Sequence, residues 1–445
     1  MNYNLLDEKW IPVLYSSGKF DHVGIKEALA QANKIRCIAA SNPMDRVAII
    51  RFLLAILYWC KGNPPEGNSM RPVDSLPADW FSKLEKNRNC FNLLGETARF
   101  YQDPNAKRSR TITDLLQEIP TGNNFWHFRH STDEKDGLCL SCCVLGLLRL
   151  PLFSVSGLPD LKSGINGVPP IYVVPVGLTL TETLAANWIR VASVGVPSWT
   201  QPTLRPSEDS DVPLLTGLTV LSRRVWLHEI DGPIDTCIGC GLKTQLVRTC
   251  EFQTAGRLEN ARWNDPHVLY FSTPTRKSYK AADLTEAGKF RMDRPWPDLL
   301  ARIAKQNGKK IASFLIVGFA TDNAKNVDVW ERVVTMPLGE DRTPFVEQWR
   351  KENKRLESRV SRSKSLSTAM IVSVRPHVEY AVSTRAAELF TADDAAWQKV
   401  AKEYNPMMTV IAKSLSPGFM TDAVQRRRHI ASLIPDMQIK KGEEA

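Results

Sequence analysis

The sequence has no apolar run long enough to cross a membrane. Its longest stretches of this kind, such as Phe52–Tyr58 and Phe314–Val317, are far shorter than the roughly 20 residues that a bilayer-spanning helix needs. The chain also does not open with a basic segment followed by an apolar one, so we expect no secretory signal. We therefore expect a cytoplasmic protein without a membrane partner.

The sequence also lacks the patterns that mark common enzyme classes. It contains no Gly-x-x-x-x-Gly-Lys-Ser/Thr phosphate loop, Gly-x-Gly-x-x-Gly turn, His-Glu-x-x-His helix or Gly-x-Ser-x-Gly elbow. Histidine is scarce at seven residues, and only His127 and His130 form a close pair. We therefore expect that this protein is not an enzyme. The alternative is a zinc-stabilised, metal-dependent nuclease that uses His127, His130 and a carboxylate such as Asp133.

Length and composition indicate two globular domains and an anionic partner. The chain has 445 residues, which exceeds the about 250–300 at which a single core stops growing. Its hydrophobic content of 43% and charged content of 24% are ordinary for a globular protein. The formal charge of +10 favours a partner such as nucleic acid.

The hydrophobic pattern changes near residue 338 and divides the chain. Residues 1–338 mix helical and strand signals, whereas four helical stretches joined by short turns follow. We expect an α+β fold with a large mixed N-terminal domain (1–338) and a C-terminal four-helix bundle (339–445). In the first domain we expect helices at Ile25–Gln31, Met44–Cys60 and Leu76–Leu94, strands at Ile171–Val176, Val268–Phe271 and Ile311–Val317, and long loops at Pro151–Pro170 and Val196–Pro213.

Two Cys-x-x-Cys pairs form the strongest local signal: Cys139 with Cys142, and Cys237 with Cys240. Each such turn supplies two thiolates, and zinc binds four of them in a closed tetrahedron that leaves no position for water. We expect a shared structural zinc that ties distant parts of the chain together. Two alternatives are a pair of unrelated buried knuckles and a site of two histidines and two cysteines, with His127 and His130 beside the first knuckle.

Clustered basic residues identify a candidate nucleic-acid surface in the predicted bundle. Residues 342–364 contain eight Lys or Arg against three acids. Cations that neutralise phosphates release counterions, so their binding weakens steeply with salt. The alternative is an ordinary solvated helix face. The candidate basic face consists of Arg350, Lys351, Lys354, Arg355, Arg359 and Arg362.

Several landmarks along the chain resemble the CasA family, the large subunits of type I-E CRISPR Cascade surveillance complexes. They are the opening Asn4–Val13, the two cysteine knuckles, Lys162-Ser163-Gly164 and a loop that begins at Gly318. The resemblance implies a non-catalytic subunit that docks on the guide RNA and recognises the short motif flanking the target (the PAM) in double-stranded DNA. It also implies that the subunit starts strand separation, recruits a helicase–nuclease and contacts backbone, small and guide-capping subunits.

The resemblance further assigns a guide-RNA anchor and a first DNA-binding loop. Phe128 lies at the spacing of the aromatic residue that the family uses at the guide's 5′ handle, and Arg129 follows it. The family's glycine-rich loop corresponds to Ser154–Leu161, where Gly157 is the single glycine, and Lys162 follows. With one glycine, close approach of the backbone to the PAM is less free, so the PAM preference is expected to differ.

Two more DNA-binding elements follow from the same resemblance. The family has a lysine finger after the second knuckle, and Arg257 is the nearest cation here. A polar wedge that splits the first base pairs corresponds to Ala320–Asn326, where Asn323, Lys325 or Asn326 takes the place of the family's glutamine. Amide and cationic side chains suit the acceptor-rich edge of the minor groove.

Overall fold

The computed structural model describes most of the N-terminal two-thirds of the chain. The described residues are 3–64, 79–96, 99–117, 137–154, 164–166, 171–204, 206, 210–230, 232–255, 262–268, 270–272, 278–280, 291–292, 299, 303, 311–322 and 325–337. The predicted bundle over residues 339–445, with its basic face, lies outside this part, so that prediction stays untested.

Six α-helices and fourteen strands occur within the described residues. The helices are α1 (Ile25–Ala30), α2 (Pro43–Lys61), α3 (Asp79–Lys86), α4 (Leu140–Phe153), α5 (Leu180–Asn187) and α6 (Leu214–Thr219). The strands are β1 (Ile11–Tyr15), β2 (Phe20–Val23), β3 (Ile35–Ile38), β4 (Ser109–Thr111), β5 (Tyr172–Val176), β6 (Arg223–Leu227), β7 (Asp235–Thr236), β8 (Lys243–Thr244), β9 (Thr249–Thr254), β10 (Tyr270–Ser272), β11 (Ser278–Lys280), β12 (Arg291–Met292), β13 (Ile311–Asp322) and β14 (Lys325–Pro337).

Helix α2 is the central element of the core. Asn42 caps it by accepting a hydrogen bond from the Met44 backbone N–H at 2.9 Å, and Pro43 occupies the first helical position. Gly62, at φ +70°, ends the helix in a conformation that side-chain-bearing residues rarely adopt. Fourteen of the 19 residues of α2 are buried. Its Phe52 and Trp59 pack with Phe91, Phe100 and Trp199 in an aromatic cluster whose ring centroids lie 5.3–6.4 Å apart.

The strands form small antiparallel sheets rather than one large sheet. The three-stranded sheets have the orders β2-β1-β3, β4-β9-β6, β14-β13-β5 and β11-β10-β12, and β7 pairs with β8 alone. In the third of these, β5 pairs with β13 only from Ser313 to Val317. Beyond Val317 the long hairpin continues as two strands up to the pair Asp322 and Lys325. We call the last two residue pairs, Thr321 with Asn326 and Asp322 with Lys325, the hairpin tip.

Several sequence-based predictions of elements are confirmed. Helices occur at Ile25–Ala30 and Pro43–Lys61, and strands occur at Tyr172–Val176 and Ile311–Asp322. The predicted strand at Val268–Phe271 is shifted to Tyr270–Ser272. The mixture of helices and strands agrees with the predicted fold class. None of the helices in the described part of the chain is both long and apolar enough to cross a membrane.

Three other predictions are wrong. In place of one helix over Leu76–Leu94, the described residues form α3 and a separate 3₁₀ turn at Arg88–Phe91. The predicted loop that begins at Pro151 instead opens with the last turn of α4. The stretch between the two knuckles holds α4, α5 and α6 as well as β5 and β6, so one strand and two loops do not account for it. The described residues of the predicted loop at Val196–Pro213 do lack helix and strand.

Candidate metal centre and loop roots

The four knuckle cysteines converge on one point. The sulfurs of Cys139, Cys142, Cys237 and Cys240 all lie within 4.8 Å of one another, and Cys139 Sγ is 3.7 Å from Cys240 Sγ. Metal–sulfur bonds of about 2.3 Å in a tetrahedron place the sulfurs about 3.8 Å apart. The donor set and its spacing therefore fit a bound metal ion. The alternative of two unrelated knuckles is wrong, since the two pairs form one cluster.

The first knuckle lies at the beginning of α4. Cys139 is the N-cap residue, and Cys142 lies in the first turn with its side chain turned into the cluster. Leu138, just before the knuckle, exchanges two backbone hydrogen bonds of 2.9 Å with Val247. This bridge joins the start of α4 to the chain that follows the second knuckle.

The second knuckle closes the β7–β8 hairpin. The Cys237 N–H donates to Leu242 O at 2.9 Å, and the Gly241 N–H donates to Cys237 O at 2.8 Å. Gly241 has φ +78°, the left-handed conformation that glycine adopts without strain. A Cβ at Gly239 would lie 2.9 Å from Cys142 Sγ, so the two knuckles approach closely only because this residue has no side chain.

Hydrogen bonds within the cluster shift the pKa values of Cys237 and Cys142 in opposite directions. Hydrogen bonding from the Cys139 thiol, and then from Cys142, lowers the pKa of Cys237. The Cys237 sulfur also accepts the Cys139 backbone N–H at 3.2 Å. Hydrogen bonding with Cys139 and Cys237, together with burial, raises the pKa of Cys142. Four closely spaced sulfurs, three of them buried, form an environment suited to a cation.

Most of the other predicted site residues lie outside the described part of the chain. These are Phe128, Arg129, Gly157, Lys162, Arg257, Asn323, the pair His127 and His130, and the six cations of the basic face. Lys325 and Asn326, two residues of the predicted wedge, begin β14 at the tip of the β13–β14 hairpin.

The residues that immediately precede the predicted DNA-binding elements belong to the described part of the chain. Ser154, which ends α4 before the first segment (residues 155–163), places its Oγ 2.6 Å from Ser222 Oγ. Ala255, just before the second segment (residues 256–261), donates its N–H to Ser222 O at 3.2 Å. The Phe319 ring in β13 packs edge-on against Phe153, with centroids 6.0 Å apart. The residues that precede the first segment, the second segment and the tip of the β13–β14 hairpin therefore lie close together, near the end of α4.

A buried polar network that the sequence pattern does not predict connects α2, β5 and α4 near these residues. Both Arg51 guanidinium nitrogens Nη1 and Nη2 bond the Asp265 carboxylate, at 2.5 and 2.8 Å, and both side chains are almost fully buried. Asn166 Nδ2 donates to Asp265 Oδ2 at 2.8 Å and to Tyr172 Oη at 3.0 Å. Tyr172 Oη in turn donates to Leu152 O at 2.9 Å. The available signal was one arginine within the otherwise apolar run of α2.

Burial and charge set the protonation states in this network. Burial favours the neutral carboxyl of Asp265, but the opposing charge and hydrogen bonds of Arg51 hold its pKa below the usual range. Burial, and then the Arg51 charge, lower the pKa of His267 to about 3. The neutral His267 ring accepts a bond from Arg51 on Nδ1 at 2.8 Å and donates from Nε2 to Asn187 Oδ1 at 3.0 Å.

We expect acid to destabilise the protein through His267. The unfolded chain takes up a proton below pH about 6.5, whereas the folded ring takes one up only near pH 3, so stability falls as pH falls between these values. The expected loss is about 1.4 kcal/mol of unfolding free energy for each pH unit. Denaturant titrations between pH 7 and 5 should show a shallower slope for His267→Gln, and equal slopes would contradict the assignment.

The fold and the site define a class of mixed helix-and-strand proteins in which a four-cysteine cluster ties two distant segments together. Within it, the chain belongs to the family described as CRISPR-associated protein Cse1, whose model matches residues 4–432. The CasA/Cse1 protein of Thermus thermophilus is 30% identical over 382 residues, covering 76% of this chain and 71% of the relative. The predicted family is thus confirmed.

Solved structures show the same fold. Thermus thermophilus CasA (Cse1) aligns at a TM-score of 0.58 with 19% identity, covering 98% of this chain and 97% of the other. Thermobifida fusca Cse1 aligns at 0.60 with 18% identity, covering 98% of both chains. A chain of a structure described as a CRISPR RNA-guided surveillance complex aligns at 0.60 with 16% identity, covering 96% of this chain and 99% of the other.

Proposed function

We propose that this chain is the non-catalytic large subunit of a type I-E-like CRISPR RNA-guided surveillance complex. In this role it recognises the PAM in double-stranded DNA, helps to start strand separation and recruits a helicase–nuclease. Its partners are the guide RNA and the backbone, small and guide-capping subunits. Family membership and the likeness to a chain of a surveillance complex support the proposal.

The DNA-binding role is supported mainly by the proximity of the residues that flank three predicted DNA-binding elements. The first segment holds Gly157 and Lys162, the second holds Arg257, and the hairpin tip holds Lys325 and Asn326. The residues that flank them meet at Phe153, Ser154 and Ser222. A protein that recognises a few adjacent base pairs needs its contacts on one side, and the proximity of these flanking residues supports such an arrangement.

Each predicted element has a distinct task in this proposal. Gly157 allows close backbone approach, whereas Lys162 and Arg257 bring cations to the acceptor-rich minor groove. Asn323, Lys325 and Asn326 supply the wedge that separates the first base pairs. The six cations of the predicted basic face add phosphate contacts that weaken as salt rises.

We also propose that the ion at the four cysteines is zinc. Zinc binds four thiolates in a closed tetrahedron, so it would serve a structural role. The chain enters the first knuckle from the region of Phe128 and Arg129, and it leaves the second knuckle through Val247 and β9 towards Arg257. The ion would therefore fix the predicted guide-RNA anchor relative to the second segment.

Substitution of the polar side chains at the hairpin tip tests whether these residues separate the first base pairs. We expect Lys325→Ala with Asn326→Ala to weaken binding of PAM-bearing duplex by the assembled complex about tenfold, because minor-groove contacts are lost. Gel-shift titrations at fixed salt would measure this. Lys34→Ala is the matched control, since it removes one exposed lysine from the β3 side of the protein and should leave binding unchanged.

Two results would contradict the proposed function. Unaltered binding by the hairpin-tip variant would remove the wedge assignment. Metal-dependent cleavage of DNA by the purified chain that His127→Ala abolishes would replace the non-catalytic role with the nuclease alternative.

A further inference from the structure

The described residues that flank the first and second segments are bonded to one another on both sides of the segments. Where they begin, Ser154 and Ala255 both bond Ser222, through its hydroxyl and its carbonyl oxygen respectively. Ser222 Oγ also donates to Leu150 O at 2.7 Å, so this junction is fixed to α4. The residues that precede the two segments therefore share Ser222 as a hydrogen-bond partner.

The far ends meet in the buried network. Asn166 lies three residues after the first segment, and Asp265 lies four residues after the second. The 2.8 Å bond from Asn166 Nδ2 to Asp265 Oδ2 joins these two ends directly. Both residues are buried, at 6% and 0% exposure, so water cannot substitute for a lost bond without entering the core.

Two rigid elements hold this second junction in place. Arg51 bonds Asp265 through two nitrogens and belongs to α2, the central helix of the core. Tyr172 begins β5 and connects Asn166 with Leu152 O in the last turn of α4. The Tyr172 hydroxyl thus links the two ends of the first segment, since Leu152 precedes it and Asn166 follows it.

We propose that Asn166, Tyr172, Asp265 and Arg51 are positioning residues that set the first and second segments in register for PAM discrimination. They would act through Lys162 and Arg257 without contacting DNA. This inference rests on the proposed function, because it assumes that those two cations meet the flanking base pairs. It adds that the choice of PAM depends on the buried network as well as on the residues at the DNA.

The chain offers a matched pair of substitutions to test this. Tyr172→Phe and Tyr58→Phe each remove one buried hydroxyl that accepts an N–H and donates to a carbonyl oxygen. Tyr58 makes both of these bonds to the Ile189 backbone, between α2 and the end of α5, whereas Tyr172 bonds Asn166 in the network. Similar losses of thermal stability are therefore expected from both, so a difference in DNA recognition reports the network alone.

The experiment measures how strongly the complex prefers one flanking sequence over another, not how tightly it binds DNA. The assembled complex would be titrated with duplexes randomised at the positions flanking the guide-matched sequence, and the preferred and rejected flanks give a ratio of Kd values. A partly unfolded sample weakens both values equally and leaves the ratio unchanged. We expect Asn166→Ala to lower the ratio about tenfold and Tyr172→Phe a few-fold, with Tyr58→Phe within about twofold of wild type.

Lys162→Ala and Arg257→Ala separate the inference from the proposed function. If both lower the ratio while Asn166→Ala and Tyr172→Phe leave it unchanged, the PAM role stands and the positioning network is overturned. An equal fall in Tyr58→Phe would also overturn the network, since any buried hydroxyl would then have the same effect. If neither cation affects the ratio, the PAM role of these segments and the inference fall together.

Discussion

Cys142→Ala should release the proposed zinc ion and lower the free energy of unfolding by about 3–5 kcal/mol. Structural zinc in small peptides supplies about 10–16 kcal/mol of apparent binding energy, which is also folding energy. The loss here should be smaller because α2 and its aromatic neighbours form a core that does not depend on the cluster. It should still be large, because the buried Cys139 and Cys237 would be left without the ion.

Cys143→Ala is the matched control for this substitution. Cys143 follows Cys142 in α4, is fully buried and lies outside the four-sulfur cluster. Its replacement removes one buried sulfur and should cost about 1 kcal/mol, in line with the loss of a small apolar group. Elemental analysis should find about one zinc per chain in wild type and Cys143→Ala, and none in Cys142→Ala.

Two outcomes would contradict the metal assignment. One is equal stability loss in the two variants, which would make the cluster ordinary packing. The other is a native chain that binds no zinc. That result would remove the proposed clamp between the guide-RNA anchor and the second segment, while family membership would stand because it rests on residues 4–432.

Local patterns in the sequence predicted the elements whose character is local. Helix α2 has a capping Asn42, Pro43 at its start and Gly62 at its end, so both its limits and its burial follow from neighbouring residues. The cysteine cluster was predictable for a related reason. The two Cys-x-x-Cys turns are each local, and a thiolate-binding metal supplies a chemical reason for two distant pairs to meet.

Features that depend on distant partners were not predictable. Helix α4 is apolar on nearly every side and contains Gly146 and Pro151, so it shows no helical period. Its sequence predicts only the knuckle at its start and a loop from Pro151. Its helical form depends on packing against α2 and on the Asp45–Arg149 ion pair, whose members are 104 residues apart. The Arg51–Asp265 pair spans 214 residues, and no spacing rule connects such positions.

Arg51→Met should lower the free energy of unfolding by about 3–5 kcal/mol. The substitution keeps much of the side-chain volume in α2 but leaves the Asp265 carboxylate buried without its cation. The bonds from Asn166 and from the His267 backbone N–H then remain, at 2.8 and 2.9 Å, and they cannot replace a full opposite charge. An isolated buried carboxylate is among the most costly groups in a protein interior.

A second substitution distinguishes charge from packing. Arg51→Met combined with Asp265→Leu removes both charges, and we expect it to regain more than half of the lost stability, because a buried ion pair is often replaceable by apolar side chains. Lys19→Met is the surface control. Lys19 bonds Asp21 at 2.6 Å but is exposed to solvent, so its loss should leave the free energy of unfolding nearly unchanged.

The pH dependence supplies an independent check on Arg51→Met. Without the arginine, burial raises the pKa of Asp265, so the folded variant binds a proton at a pH where the unfolded chain does not. Proton uptake by the folded state stabilises it as pH falls, and the stability gap between wild type and Arg51→Met should therefore narrow between pH 7 and 5. Denaturant titrations at both pH values measure the gap. A constant gap, with no recovery in the double variant, would show that Arg51 contributes packing alone.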